Sequence, residues 1–260
     1  MRAILVHADR TPGMAARLET ALSLARASQG RISVLVDTPV ARYVSLDPMT
    51  GSQIVPDAIS QALEADDTQA GELRAQLARQ DVPFVVLRSE EEPIDALVAA
   101  ARLADVVVLS RRPGLGGDLA LATRTPVLVV PEDRALAFPL DSVCIAWDGG
   151  NEAAHALRSA LPLLAQSRAV HLLTVAAEKA AAPAAGALAY LALHGVIAQA
   201  HALTRDGSTE ATLATAVAKS GGGLVVMGAY GKSRVREYLF GGVTRHFLED
   251  DRLPALLLAH

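Results

Sequence analysis

The sequence predicts an α/β protein with two tandem, doubly wound, open parallel sheets. Short apolar runs that are typical of buried strands alternate with longer segments whose apolar residues recur at helical spacing. This alternation indicates parallel sheets covered by helices on both faces. The order of strands and helices in the first half recurs in the second, and 260 residues are enough for two average domains. An apolar fraction of 51% with only 3% aromatic residues suits small aliphatic side chains packed on a sheet.

In the first half, apolar runs predict five strands and periodic segments predict three helices. The predicted strands are 3–8, 32–36, 83–87, 105–109 and 125–131, and the predicted helices are 15–27, 58–80 and 93–103. The stretch 38–57 contains Pro39, Pro48, Pro56 and Gly51, so we expect an extended loop there.

The second half repeats this order. The predicted strands are 143–147, 170–175, 196–203, 224–227 and 253–260, and the predicted helices are 152–165, 184–193, 208–219 and 244–248. Ser208 is a candidate helix N-cap, and Glu210 follows in the first turn, where the helix dipole favours an anion. The repeat predicts two similar domains, 1–135 and 140–260, joined by a linker at 135–141.

Composition argues against several classes of protein. A net charge of -4, with no block of five like charges, disfavours a nucleic-acid surface. Cys144 is the only cysteine and lies in an apolar strand, which predicts a small buried thiol and a reducing, cytoplasmic location. The amino terminus turns polar at His7 and Asp9, too early for a signal peptide. The uncharged stretch 180–204 is broken by Pro183 and glycines, so we expect no membrane span.

The stretch after the strand at 224–227 is rich in glycine. Gly228 and Gly231 follow the strand, and Gly241 and Gly242 come ten positions later, at the start of a predicted helix. Glycines that leave a parallel sheet at its carboxyl edge expose main-chain N–H groups, and a helix N-terminus attracts anions such as phosphate. The alternative is that these glycines only turn the chain and end a helix.

A P-loop is excluded. Gly231, Lys232 and Ser233 match the end of that motif, but it also requires a glycine at position 226, which is valine. The cations Lys232, Arg234 and Arg236 are expected to face water.

The glycine pattern closely resembles the nucleotide-binding signature of the universal stress protein family. ATP-binding members of that family carry G-x-x-G, nine residues, and then a glycine followed by Ser or Thr. Gly242 departs from the pattern, because it stands where the family has a hydroxyl; the hydroxyl of Thr244 lies two residues on. Family domains also open with a strand that ends in an adenosine-binding Asp, which Asp148 matches, as Asp9 does in the first half. A valine that holds adenine corresponds to Val175.

The resemblance implies ATP or another adenine nucleotide, with or without Mg²⁺, bound in the second half for a regulatory or stress-response role. The candidate binding residues are Ala146, Trp147, Asp148, Val175, Met227, Gly228, Tyr230, Gly231, Gly241, Gly242, Val243 and Thr244.

The first half lacks an equivalent loop. Ten residues fewer separate Ser110 from Pro126 than separate Gly228 from Pro254, and no G-x-x-G stands directly behind the strand. Arg111 and Arg112 stand there instead, and we expect both to face solvent. This predicts one nucleotide site per chain, with the first half kept for packing.

Each half ends in a strand that is apolar on both faces, and such a strand is an exposed sheet edge unless it is paired. In the universal stress protein family, the last strands of two domains pair across a two-fold axis, which implies an intrachain pseudo-dimer here. A homodimer of tandem chains is a further option.

Catalysis is not predicted beyond slow ATP hydrolysis. The sequence contains no G-x-S-x-G elbow and no H-x-x-x-H or C-x-x-C spacing for a metal. His7 and His171 are expected to be hydrogen-bonded core residues. The alternative function is an interaction scaffold of the same fold that binds no nucleotide, because the hydroxyl missing at Gly242 removes a hydrogen bond to phosphate.

Overall fold

A computed structural model describes residues 1–47, 51–54, 56–112, 114–176, 184–229 and 242–260. The described chain forms a ten-stranded mixed sheet and a separate two-stranded hairpin. Helices cover both faces of the large sheet, and the two halves of the chain form its two ends.

The first half contains all the predicted strands and helices and four further elements. Its elements are β1 (Ala3–His7), α1 (Met14–Ser28), β2 (Arg31–Asp37), a 3₁₀ helix (Val40–Tyr43), β3 (Val44–Asp47), β4 (Gly51–Ile54), α2 (Pro56–Leu77), β5 (Phe84–Ser89), α3 (Pro93–Ala101), β6 (Val106–Ser110), α4 (Leu115–Ala122) and β7 (Val127–Val130).

The second half contains the predicted elements with shifts of a few residues at their ends. They are β8 (Ser142–Ala146), α5 (Asn151–Leu164), β9 (Ala169–Ala176), α6 (Ala185–Leu193), β10 (Ala198–Thr204), α7 (Thr209–Lys219), β11 (Leu224–Gly228), α8 (Gly242–Glu249) and β12 (Ala255–Ala259). The Ser208 cap is confirmed, since its side chain accepts a hydrogen bond from the Ala211 amide.

Two predictions about irregular segments were wrong. The stretch 38–57 is not an extended loop: it contains the hairpin β3–β4, and α2 begins at Pro56, where the fixed φ of proline suits a first helical turn. Helix α4 was missed because its two glycines are typical of a turn. One of them, Gly116, lets the helix approach the sheet closely, since a Cβ atom there would lie 2.9 Å from the Val129 side chain.

The strand order is β10-β9-β8-β11-β12-β7-β6-β1-β2-β5. Within each half, the strands of the large sheet are parallel. In the first half β1 lies between β2 and β6, and in the second half β8 lies between β9 and β11. The strand order therefore reverses between β1 and β6 and again between β8 and β11. In doubly wound sheets, ligands bind at the carboxyl ends of the strands at these reversal points.

The predicted intrachain pairing of the last strands is confirmed. β12 runs antiparallel to β7, with Leu257 opposite Leu128. Every residue of both strands is buried. Burying aliphatic side chains of this kind stabilises the folded chain by about 1.5–3 kcal/mol each.

Arg111 strengthens this contact between the halves. The prediction that it faces solvent was wrong, since the residue is only 4% exposed. Its Nη1 donates to the carbonyl oxygens of Asp250 at 2.6 Å and Leu253 at 2.9 Å, and its Nη2 donates to that of Pro254. Burial lowers the Arg111 pKa. Arg111 belongs to the first half, and it thus provides hydrogen-bond donors for the carbonyl groups of the turn before β12 in the second half.

Candidate functional site

The candidate site lies where β8 and β11 end side by side. The two strands are parallel neighbours, with Cys144 opposite Val225. Asp148 follows β8, and Gly228 is the last residue of β11. The structure thus brings together two of the predicted site residues at the reversal point of the second half.

The turn after β8 presents Asp148 at the surface. Its Oδ1 accepts a hydrogen bond from the Gly150 amide at 2.8 Å, which is the geometry of an Asx turn. Gly149 adopts φ +77°, a left-handed conformation that favours glycine. The carboxylate is therefore held by local backbone structure beside the ends of β8 and β11, which is the position of the ligand-binding crevice in doubly wound sheets.

Gly228 has a packing role that is independent of any ligand. A Cβ atom at this position would lie 2.5 Å from the Glu152 carbonyl carbon and 2.6 Å from the Ala153 nitrogen. Real Cβ atoms do not approach a backbone this closely, so the first turn of α5 requires glycine at the end of β11. The same contact brings the start of α5 to the edge of the crevice.

The apolar candidates are divided between the two faces of the sheet. Ala146, Val175 and the buried Met227 belong to one core layer. Trp147 belongs to the opposite layer. There it lines a cavity of about 260 Å³ between α5 and α6, together with Tyr190.

The start of helix α8 lies next to the first turn of α7. Gly242 is exposed, Val243 is half-buried and Thr244 is 4% exposed. A Cβ atom at Gly242 would lie 3.9 Å from Oε1 of Glu210. Glu210 therefore stands close to the positive end of α8 as well as in the first turn of α7.

Three predicted site residues, Tyr230, Gly231 and Gly241, lie outside the described residues, as do the cations Lys232, Arg234 and Arg236.

The equivalent crevice of the first half is occupied by its own side chains. Asp9 follows β1, as Asp148 follows β8, and its Oδ1 accepts from Arg17 Nη2 at 2.8 Å. Arg112 Nη1 donates to the other carboxylate oxygen at 3.1 Å. Burial alone raises the Asp9 pKa, but the Arg17 guanidinium and a hydrogen bond from Thr11 lower it to about 2.

Arg17 is the residue that sequence reasoning missed. It lies on α1 and is fully buried. Its Nε donates to Ser110 Oγ at 3.0 Å, and its Nη1 donates to the His7 carbonyl oxygen. The sequence did contain a signal for this role, because Arg17 stands at an apolar position of the predicted helix 15–27. A guanidinium that is buried in this way requires hydrogen-bond acceptors on neighbouring elements.

The predictions for two histidines are only partly confirmed. His7 is 3% exposed and its Nε2 lies 2.5 Å from Asp37 Oδ1, but its Nδ1 has no hydrogen-bond partner within the described parts of the chain. His171 is half-buried, and its Nδ1 lies 3.0 Å from His201 Nε2.

The predicted state of Cys144 is confirmed. It is a free, fully buried thiol, and burial raises its pKa.

Two tandem parallel halves, joined edge to edge and each with an Asp after its first strand, define a tandem doubly wound α/β protein. A sequence model of the universal stress protein family matches residues 1–131, which is just over half of the chain. The chain belongs to the universal stress protein family, as a tandem member.

Solved structures share the complete tandem fold. A universal stress protein from Archaeoglobus fulgidus superposes with a TM-score of 0.76 at 14% identity, covering 99% of this chain and 96% of that chain. A functionally unknown protein from Pseudomonas aeruginosa gives a TM-score of 0.57 at 16% identity, covering 100% and 92%. Comparison with curated protein sequences found no match.

Among the described helices, none is both long enough and apolar enough to cross a lipid bilayer.

Proposed function

We propose that this tandem universal stress protein binds an adenine nucleotide, with ATP as the first candidate, in the crevice at the ends of β8 and β11. The observation that carries the proposal is the contrast between the two halves. Asp148 is exposed at the reversal point of the second half, whereas Asp9, its counterpart, is enclosed by two arginines. The carboxylate of the second half thus lies at the surface, where a ligand can reach it, and that of the first half is bound by two arginines of the protein itself.

Each part of the site has a role in this proposal. The Asp148 carboxylate accepts hydrogen bonds from the ribose hydroxyls, and Ala146 and Val175 contact the adenine ring. The phosphates lie against the start of α8 at Gly242 and Val243, where unpaired N–H groups and the helix dipole favour an anion. Because Thr244 is buried, its main-chain amide suits this role better than its hydroxyl.

Residues 1–135 and 140–260 form the two domains in this proposal. The second binds nucleotide, and the first pairs with it through β7 and β12. We assign no catalytic residue, and ATP hydrolysis is at most slow. A regulatory, stress-response role in the cytoplasm is part of the proposal, and the free thiol of Cys144 is consistent with a reducing compartment.

Isothermal titration with ATP tests the site directly. We expect one ATP per chain, and we expect Asp148→Asn to weaken binding by about tenfold to a hundredfold, because a charge-assisted hydrogen bond is lost. Asp141→Asn is the control, since this carboxylate is 84% exposed and precedes β8 at its other end. Two ATP molecules per chain, or equal affinities for both variants, would contradict the assignment.

The position of Glu210 favours a second function, an interaction scaffold that binds no nucleotide. Its carboxylate lies near the same helix end that the phosphates require. A negative charge there repels a phosphate and interacts with the helix dipole in its place. Under this alternative, a thermal melt of the purified protein does not shift when ATP is added.

The variant Glu210→Gln distinguishes a nucleotide site that the Glu210 charge weakens from the absence of a nucleotide site. Removing the charge should tighten ATP binding by about twofold to fivefold, because a carboxylate near the end of a helix changes its interaction with an anion by about 0.3–1 kcal/mol. Glu72→Gln, an exposed residue on α2, makes the same change in net charge far from the site. Equal affinities of the two variants would show that Glu210 does not face the phosphates.

A further inference from the structure

Strand β10 is an open edge of the large sheet. It pairs with β9, and it is the last strand in the order of the described sheet. Gln199, Ala200, Ala202 and Thr204 are exposed along it. An edge strand carries unpaired main-chain N–H and C=O groups, which are a template for another strand.

The opposite edge, β5, carries the charges by which proteins prevent edge pairing. Arg88 on β5 pairs with Asp67 of α2. Just before β5, Asp81 accepts from Arg26 at 2.8 Å. By contrast, the sequence has no Asp, Glu, Lys or Arg between positions 184 and 204, so α6 and β10 together form an uncharged surface.

Large apolar side chains are exposed at the start of this edge. Leu193 is 84% exposed and Ile197 is 91% exposed. They flank a turn at Gly195, where φ is +73°. On the adjoining outer face of α6, the exposed residues Ala185, Ala189 and Ala192 are small, so another backbone can approach closely.

We propose that two copies of this chain associate through antiparallel pairing of their β10 strands about a two-fold axis. The chain already joins its two halves in this way, since β7 and β12 pair antiparallel at the centre of the sheet. A two-fold interface places the same patch on both partners. An uncharged patch can meet its own copy without like-charge repulsion, although each chain carries a net charge of -4.

The proposed contact combines two kinds of interaction. Paired β10 strands satisfy the main-chain groups of both edges, and the flanking α6 helices with Leu193 and Ile197 add the apolar area that a lone strand pair lacks. The proposed nucleotide site lies at the ends of β8 and β11, which are inner strands of the sheet and not its edge. This dimer therefore leaves the site accessible. The inference is therefore independent of nucleotide binding.

Light scattering coupled to gel filtration tests the proposal on the intact chain. We expect a mass about twice the 27.1 kDa of one chain at micromolar concentration. The double variant Ile197→Lys, Ala202→Lys should raise the dissociation constant at least about tenfold, because it brings like charges together across the axis. Leu103→Lys is the matched control, since Leu103 is 93% exposed but lies far from β10 in the sequence and in the other half.

Hydrogen exchange identifies the surface involved. In the dimer, amides of 198–204 should exchange more slowly as the protein is concentrated, and the double variant should lose this protection. Circular dichroism confirms that each variant is folded.

A wild-type chain that stays monomeric up to about 100 µM would overturn the proposal. So would a dimer whose β10 amides remain unprotected, or equal weakening by Leu103→Lys. Protection of β10 that arises only after another protein is added would assign the edge to a different partner and would also exclude self-pairing.

Discussion

Replacing Arg17 with Met should lower the free energy of unfolding by about 3–5 kcal/mol, because it removes the buried partner of the Asp9 carboxylate and leaves only the more exposed Arg112 beside it. Arg17 is fully buried and holds Asp9, the His7 carbonyl and Ser110 together across three elements of the first half. Methionine keeps much of the side-chain volume, so the loss reports on charge and hydrogen bonding rather than on a cavity. Urea unfolding followed by circular dichroism measures the effect.

Arg112 provides a control on the same carboxylate. Its side chain is 45% exposed, so Arg112→Met should cost less than about 1 kcal/mol. Adding Asp9→Asn to Arg17→Met should recover part of the stability, because the carboxylate that has lost its buried partner is then removed. Equal losses for the two arginine variants would show that burial does not decide the strength of this network.

The same network predicts how stability depends on pH. Folding lowers the Asp9 pKa from 3.8 to about 2. The ionised carboxylate therefore contributes its full stabilisation above pH 3.8 and loses it as the pH falls towards 2. The stability difference between the wild type and the Arg17→Met, Asp9→Asn variant should shrink over this range, and a constant difference would contradict the assignment.

Separating the halves should destabilise both of them. Expressed alone, residues 1–135 expose β7 and residues 140–260 expose β12, two strands whose residues are all buried in the intact chain. The second half also loses Arg111, which satisfies the carbonyl groups of Asp250, Leu253 and Pro254. We expect each half alone to unfold or to self-associate through the exposed edge.

Co-expression of the two halves is the control, and it should restore a one-to-one complex with a melting temperature close to that of the intact chain. Gel filtration with light scattering measures the mass, and circular dichroism measures folding. Folded, monomeric halves with the stability of the whole chain would show that the seam between β7 and β12 contributes little.

Much of the architecture could be predicted because it depends on local periodicity. Strands such as β6 and β11 are short apolar runs with a polar residue or a glycine at the end, and helices such as α5 show apolar residues at helical spacing. The pairing of β7 with β12 also followed, because the last apolar strand of each half is an exposed sheet edge unless it is paired, and the last strands pair in the family that the sequence resembles. Helix α4 was not predictable in this way, since one of its glycines, Gly116, is explained by contact with Val129 on another element.

For the candidate site, the sequence by itself placed Asp148 and Gly228 at the carboxyl ends of two strands of a tandem universal stress protein; only the structure showed that these strands are neighbours. Both positions follow from where apolar runs stop. The tertiary structure alone decided that Arg17 and Arg112 enclose Asp9, that Arg111 crosses to the second half, and that Glu210 stands beside α8. These contacts join residues up to 143 positions apart. No local pattern encodes them, because an arginine or glutamate side chain finds its partner only after the strands and helices have packed.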